Sequence, residues 1–473
     1  MADASASSRL DPQRRVGLAL PGLKSRIGLV LRALKSGIGL ALRALKSRNY
    51  RLFFAGQSLS LTGTWMQRIA LSWLVYRLTG SPWLLGLVAC AGQLPTFLVA
   101  PFAGVLTDRW NLRRLVVATQ ALAMVQALLL AMLTLTHVIT VWHLLALSVV
   151  LGLINAFDLP ARQTFVVHIV EPDDLPNAIA LNSALVNAAR LVGPALAGLL
   201  ISLVGEGWCF MLNGLSYVGV LAALLAMRIA PRPVGPHSGD SLHGLRQGFV
   251  YAYQHVPIRS ILLLLAVVSL VGVPYAVLMP IFAREILGGT ERTLGILMGA
   301  SGVGALCGAL LLAARPNGDG LRQSIAWDAV LFGAGLIGFA WSQTLWLALL
   351  MMALSGFALM LQMAASNTVL QALVDEDKRG RIMSMYTMAF IGMAPFGALL
   401  AGTLAGWIGA PQTVVLGGAG CMLAAFYFGR HIAPADTLQP SGRAGPAPRR
   451  STAALPPIGP EPSLGGFSAG GRS

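Results

Sequence analysis

Long apolar stretches recur along the chain, each about as long as a membrane-spanning helix and separated from the next by a short polar break. A bilayer core takes roughly 20 apolar residues per helical crossing. On that measure, spans are predicted at 53–78, 84–106, 115–136, 142–165, 180–204, 208–229, 261–285, 293–314, 323–342, 345–369, 381–405 and 410–430. The short alternating segments of an outer-membrane barrel are absent. The pattern therefore predicts an all-α membrane protein with twelve transmembrane helices. The longest polar break between spans, PRPVGPHSGDSLHGLRQGFVYAYQHVP, divides six spans from six. The expected organisation is a basic leader at 1–50, a six-helix bundle at 51–229, a linker at 230–260 and a second six-helix bundle at 261–430. A Pro/Gly/Ser/Ala-rich tail at 431–473 is expected to lack fixed structure.

The leader carries an 11-residue repeat: LKSRIGLVLRA (23–33), LKSGIGLALRA (34–44) and LKSRNYRLFFA (45–55). Eleven residues make about three helical turns. Lys24, Lys35 and Lys46 would then stack on one face, with Leu23, Leu34, Leu45, Ile27 and Ile38 on the other. Two readings stand: an in-plane amphipathic helix on an anionic cytoplasmic leaflet, or a duplicated leader without function. No cleavable signal peptide is expected, because a long charged leader precedes a full-length span.

Composition strengthens the membrane reading. Hydrophobic residues make up 56% of the chain and charged residues 11%, more apolar side chain than a soluble protein of this size can hide. The net charge of +16 would suggest nucleic acid in a soluble protein, but its distribution points elsewhere. With alternating spans and the N-terminus inside, Arg77, Arg284 and Arg292 fall outside, and Arg68 and Arg190 fall within spans. The other 29 of the 34 Lys and Arg residues (34 − 5) lie on the cytoplasmic side. This is the positive-inside asymmetry, which requires an even number of spans with both termini cytoplasmic. A multi-pass protein of a bacterial inner membrane follows, with the lipid bilayer and no nucleic acid as partner.

Cys90, Cys209, Cys307 and Cys421 lie in apolar stretches without metal-ligand spacing, so they read as small core residues and no metal is expected. A G-x-x-x-x-G-K-[ST] phosphate loop is missing; the four lysines never follow a glycine. No cofactor is implied, and any pumping would draw on an ion gradient.

The two halves resemble each other. Gly193-Pro194 in span 5 corresponds to Ala394-Pro395 in span 11, and Gly104 in span 2 to Gly308 in span 8. Each of spans 5 and 11 follows an acidic segment, VEPDDLPN or VDEDKRGR. Duplicated halves are characteristic of secondary transporters, with the substrate site at their interface.

The loop GVLTDRWNLRR, residues 104–114, resembles the loop 2–3 signature of the major facilitator superfamily. Gly104, Leu106, Asp108 and Arg109 match it; Asn111 replaces a glycine, and Arg113 and Arg114 supply the basic pair one residue out of register. The resemblance implies a cytoplasmic latch in which Asp108 faces the N-terminus of span 11 near Arg381, where a helix dipole favours a carboxylate. Leu312 stands at the matching position of the second half, so the latch is expected on one side only. The bland alternative is a topogenic basic loop. In span 4, Asp158 and Arg162 are four residues apart and share a helix face, predicting an ion pair that serves a gate or, in the sharper reading, carries a proton.

Span 5, NSALVNAARLVGPALAG, resembles the span 5 signature of drug/proton antiporters through Gly193, Pro194 and Gly198, although Ala180, Ala189 and Ala197 stand where glycine is preferred. Arg190 within it needs a partner or a watery cavity. Together with span 1, PARQ at 160–163 and DEDKRGRIMSMY at 375–386, these blocks resemble the superfamily branch of enterobactin exporters and macrolide-efflux-like proteins, called transmembrane secretion effectors. The likeness spans roughly 48–430. It implies proton-driven efflux of a small organic molecule (a siderophore, drug or other amphipathic metabolite) by a monomer. Candidate cavity residues are Gln57, Arg68, Asn187, Arg190, Tyr275, Gln362 and Asn367, each of which could instead be a helix-packing hydrogen bond. Import on the same fold and a non-transporting scaffold are the alternatives. An enzyme is not expected: GASG at 299–302 places Ser301 as in rhomboid proteases, but a base histidine is lacking apart from His431 at the final membrane edge.

Overall fold

A computed structural model describes residues 43–107, 110–228, 249–313, 320–376 and 378–432. Asp108, Arg109, the first leader repeat and all of the second but Arg43 and Ala44 lie outside them, as do most of the inter-bundle linker and the tail. No strand occurs among the described residues. Long helices dominate: α1 (Arg48–Thr79), α2 (Pro82–Thr107), α3 (Leu112–Leu135), α4 (Val141–Ile169), α5 (Leu175–Val204), α6 (Glu206–Ala226), α7 (Val256–Ile286), α8 (Glu291–Ala313), α9 (Leu321–Ala340), α10 (Leu345–Leu373), α11 (Arg379–Ile408) and α12 (Ala410–Ile432). Eleven of these are long and apolar enough to cross a membrane; α1 falls short. The reason is visible in its sequence. Its 32 residues are ample in length, but Gln57, Gln67 and Arg68 interrupt the apolar run; the two glutamines are buried among other helices and Arg68 lies over the Trp65 ring.

Local chemistry sets the ends. Ser47 caps α1 by accepting from the Tyr50 amide at 3.4 Å, and breaks the third leader repeat between Lys46 and Arg48. Asn111 caps α3 through the Arg114 amide at 3.1 Å. One residue joins α5 to α6 and one joins α11 to α12: Gly205 and Gly409, at φ of 87° and 88°. Both occupy backbone space that favours glycine, and they stand 204 positions apart (409 − 205).

The packing repeats with the same offset. In the first half α1 packs on α5 and α6, α3 on α4 and α6, and α2 on α4; in the second half α7 packs on α11 and α12, α9 on α10 and α12, and α8 on α10. Between halves, α5 packs on α8 and α2 on α11, and the Tyr275–Ile281 part of α7 touches α1 and α2. The terminal end of the bundle, where the chain enters α1 and leaves α12, carries the longer connections. At the opposite, distal end the joints are short. Of the eight exposed tryptophans among the described residues, six lie at that distal end, Trp83, Trp142, Trp208, Trp341, Trp346 and Trp407; Trp110 and Trp327 lie elsewhere. Such a belt suits a membrane interface, where an amphipathic ring sits at headgroup level.

α7 is not a regular helix. It passes through π turns at Val268–Gly272 and Phe282–Ile286, with Pro274 and Pro280 between them. π turns concentrate at functional positions, and this one delivers Tyr275 to the boundary between the halves.

Candidate functional site

Polar side chains are buried unevenly, and the first half holds an extended network. Gln67 Nε2 donates to Gln126 Oε1 at 3.2 Å and Asn213 Nδ2 donates to Gln67 Oε1 at 2.7 Å, joining α1, α3 and α6. Nearer the terminal end, Asp158 is buried and its Oδ1 accepts from Thr119 Oγ1 and Gln120 Nε2, both at 2.8 Å. Its Oδ2 lies 3.5 Å from Arg162 Nη2, and Arg162 Nη1 donates to Gln57 Oε1 at 2.8 Å. The expected Asp158–Arg162 pair therefore forms, with partners from α1 and α3. Those on α3, Thr119 and Gln120, carry no charge, so nothing in the sequence singled them out.

At the equivalent place in the second half, 204 positions on (362 − 158), stands Gln362, with Ser366 in place of Arg162. Both amide atoms of Gln362 and the Ser366 hydroxyl are buried without a hydrogen-bond partner. The charged chemistry of this layer thus sits on one side of the pseudo-symmetric axis.

Arg113 of the predicted gate finds its partners on α6. It donates from Nε to the Leu224 carbonyl at 3.2 Å and from Nη2 to that of Leu225 at 3.0 Å, capping the C-terminus of α6. Gly104 stands in the last turn of α2, Arg381 in the first turn of α11. The expected pairing of Asp108 with that turn falls outside the described residues, as does Arg109.

The distal end is closed by backbone contact. A Cβ on Gly198 (α5) would lie 3.0 Å from the Gly295 Cα of α8, and one on Gly295 would lie 2.8 Å from the Pro194 carbonyl. The related crossing joins Gly86 of α2 to Gly402 of α11, where a Cβ on Gly402 would lie 2.8 Å from the Gly86 Cα. Gly402 is Gly198 advanced by 204 positions (402 − 198). Two side-chain bonds also cross the halves here: the Tyr76 hydroxyl donates to Glu285 Oε1, and Arg292 Nε donates to Ser202 Oγ at 2.8 Å.

Between this closed end and the polar layer, residues of both halves converge. Gly193 brings α5 onto α1 so closely that a Cβ there would lie 2.5 Å from Trp65 Cβ. One turn earlier, Arg190 places its guanidinium carbon 5.2 Å from the Trp65 ring centroid; that of Arg68 lies 4.6 Å from the same ring. Across the boundary, the Tyr275 hydroxyl of α7 is 3.0 Å from the Ser301 hydroxyl of α8. Trp65 was missed by sequence reasoning, although its i,i+3 spacing to Arg68 puts the two on one face. Asn187 and Asn367 bond within their own helices, to the Ser183 carbonyl at 2.9 Å and to Gln371. No group of three or more potential metal ligands exists among the described residues. A recess of about 400 Å³ lined by Leu87, Leu94, Leu98, Val149 and Leu153 offers no polar atom to orient a solute.

The model of the transmembrane secretion effector family matches residues 40–445. The staphyloferrin A transporter of Staphylococcus aureus is 23% identical over 381 residues, covering 80% of this chain and 95% of that protein. Macrolide efflux protein A of Streptococcus pyogenes is 23% identical, with 78% and 93% covered. The multidrug efflux pump Tap of Mycolicibacterium fortuitum is 25% identical, with 71% and 84% covered. Among solved structures, an inward-facing, unoccupied bacterial homologue of the human lysosomal transporter Spinster superposes with a TM-score of 0.65 at 17% identity, covering 83% of this chain and 99% of that one. The nucleoside transporter NupG superposes with a TM-score of 0.62 at 14% identity, with 82% and 99% covered.

Proposed function

We propose that this chain, which belongs to the transmembrane secretion effector family of the major facilitator superfamily, is a proton-driven exporter that moves a small organic molecule out of the bacterial cytoplasm by alternating access. The observation that carries this reading is the pair of glycine crossings, Gly86–Gly402 and Gly198–Gly295, which seal one end of the boundary between two related halves. A boundary that can seal at one end and carries polar groups further in is what alternating access requires.

With the terminal end cytoplasmic, as the charge asymmetry favours, the sealed end faces outside and the protein stands open to the cytoplasm. All twelve long helices then cross the membrane. Loading from the cytoplasm suits an exporter, and the efflux named in macrolide efflux protein A and the multidrug efflux pump Tap supports export over import. In the opposite state, Asp108 and Arg109 close the cytoplasmic side against the first turn of α11 at Arg381, with Gly104 allowing α2 close approach. Asp158 is the proton carrier of this reading: a buried carboxylate whose Arg162 partner also reaches Gln57 of α1, so its charge state bears on how α1 and α4 are held together.

The test is flux in proteoliposomes of the purified full-length protein under an imposed pH gradient. Movement of a fluorescent efflux substrate opposite to the proton gradient, abolished by a protonophore and lost in Asp158→Asn, is expected. Movement with the protons, or flux indifferent to the gradient, would overturn the assignment.

A further inference from the structure

We propose that the central site takes an anionic solute, a carboxylate-bearing molecule held by Arg68 and Arg190 over Trp65. This deepens the exporter reading and rests on it for the word substrate, but its chemistry is argued from the site itself. Both guanidinium groups use the face of one indole. Neither has a hydrogen bond or an ion pair among the described residues, and the Nε of Arg190 is buried without a partner. Arg68 stays exposed although it stands well inside a helix that packs on α5 and α6 and touches α7. It shares the Trp65 ring with Arg190 of α5, and the Tyr275–Ile281 stretch of α7 touches α1, which puts this surface at the boundary between the halves.

A cation within membrane depth needs an anion or water. The buried acid of the neighbouring polar layer, Asp158, is already taken by Arg162, Thr119 and Gln120. Two cations sharing one ring repel each other, and cation–π contact with Trp65 offsets only part of that cost. An entering carboxylate removes the repulsion and meets the planar forks that guanidinium groups offer such groups. Trp65 would meanwhile supply an apolar face to the solute's body. On the opposite wall, the Tyr275–Ser301 hydroxyl pair offers a second polar anchor from the other half. One solute touching both walls is what couples occupancy to the movement of the halves.

A matched set of xanthene dyes of one scaffold tests this: fluorescein, which carries a free carboxylate; its methyl ester; and rhodamine 123, a cationic ester. Binding to the full-length protein in lipid nanodiscs is read by fluorescence polarisation. Fluorescein is expected to bind at least tenfold more tightly than rhodamine 123, with the ester between them. Arg68→Gln and Arg190→Gln should each weaken fluorescein at least tenfold and leave rhodamine 123 equal or tighter. Arg190→Lys should restore part of the loss. Unfolding temperatures of the empty variants, matched to wild type, separate a lost site from a lost fold; a variant that melts early is replaced by its Lys counterpart. Equal or tighter binding of rhodamine 123 by the wild type, no saturable fluorescein binding, or a fluorescein affinity indifferent to both arginines would each overturn the proposal. Nanodiscs made with and without anionic lipid add a further arm: fluorescein binding seen only without anionic lipid would assign the arginines to a lipid phosphate instead. Arginine-dependent dye binding without gradient-driven flux would leave the anion site standing and remove the exporter; flux of rhodamine 123 unaffected by both substitutions would do the reverse.

Discussion

Gly86 of α2 and Gly402 of α11 meet backbone to backbone: a methyl group on Gly86 would sit 2.9 Å from the Gly402 Cα, and one on Gly402 would sit 2.8 Å from the Gly86 Cα. Only a residue without a Cβ lets two helices approach so closely. The contact joins the two halves at the distal end, so it reports their conformation.

Gly402→Val is therefore expected to push the distal end open. No flexible side chain stands in the way to yield; the colliding atoms are backbone. Spin labels at the exposed distal positions Val138 and Trp341, one in each half, should move apart, and the longer distance should dominate the distribution. The four native cysteines are replaced first. An unchanged distance distribution would show that the crossing does not hold the distal end shut.

Asp158→Asn and Arg162→Gln should differ although they disrupt the same pair. Asparagine keeps the Thr119 and Gln120 bonds and removes the charge, so the fold should survive while gradient-driven flux is lost and substrate exchange without a gradient persists. Removing Arg162 leaves a buried carboxylate short of a cation, which costs about 3–5 kcal/mol where the site cannot rehydrate. Because Arg162 is partly exposed, the lower end of that range applies. Thermal unfolding in detergent measures it; equal unfolding temperatures for the two variants would deny the pair its asymmetry.

The spans and the duplicated halves were legible because each rests on a periodic signal. Apolar runs mark the helices, and Gly205 and Gly409 recur at the offset that Gly104 and Gly308 announce. Asp158 and Arg162 were legible because charge inside a span is rare. What could not be read was pairing between helices. The spacing of Arg113 points to a gate, but not to the Leu224 and Leu225 carbonyls it caps on α6, because its reach across space depends on packing that no local pattern encodes. Trp65 escaped for the opposite reason: a tryptophan in an apolar run looks like every other apolar residue until two arginines settle on its ring. α1 itself was read as a span although its polar residues dilute it, which only its burial among other helices explains.

The same Gly→Ala change should have opposite signs at two places. On Gly356 of α10, a Cβ would fall 1.9 Å from the Ser301 carbonyl oxygen, so α8 and α10 must separate. Overpacking of this kind costs about 1–3 kcal/mol and occasionally more. On Gly406 of α11 nothing lies within 4 Å, and alanine there should stabilise the helix by about 0.5–1 kcal/mol. Unfolding temperatures of the two variants should bracket that of the wild type. If Gly356→Ala unfolds no earlier than wild type, the α8–α10 contact does not contribute to stability through this close approach.

The Tyr76–Glu285 bond offers a milder probe of the same distal closure that Gly402→Val forces open. Tyr76 is buried on α1 while Glu285 is exposed at the end of α7, so Tyr76→Phe leaves a carboxylate that water can resolvate and an apolar ring that still fits. The loss is then one net hydrogen bond, about 1 kcal/mol. Since 1.4 kcal/mol is tenfold, the closed population should fall about fivefold relative to the open one. The Val138/Trp341 label pair reads this as a partial shift, intermediate between wild type and Gly402→Val, without loss of thermal stability. A full opening would mean that Tyr76 holds more than its one bond. No shift at all would mean that the glycine crossings carry the closure by themselves.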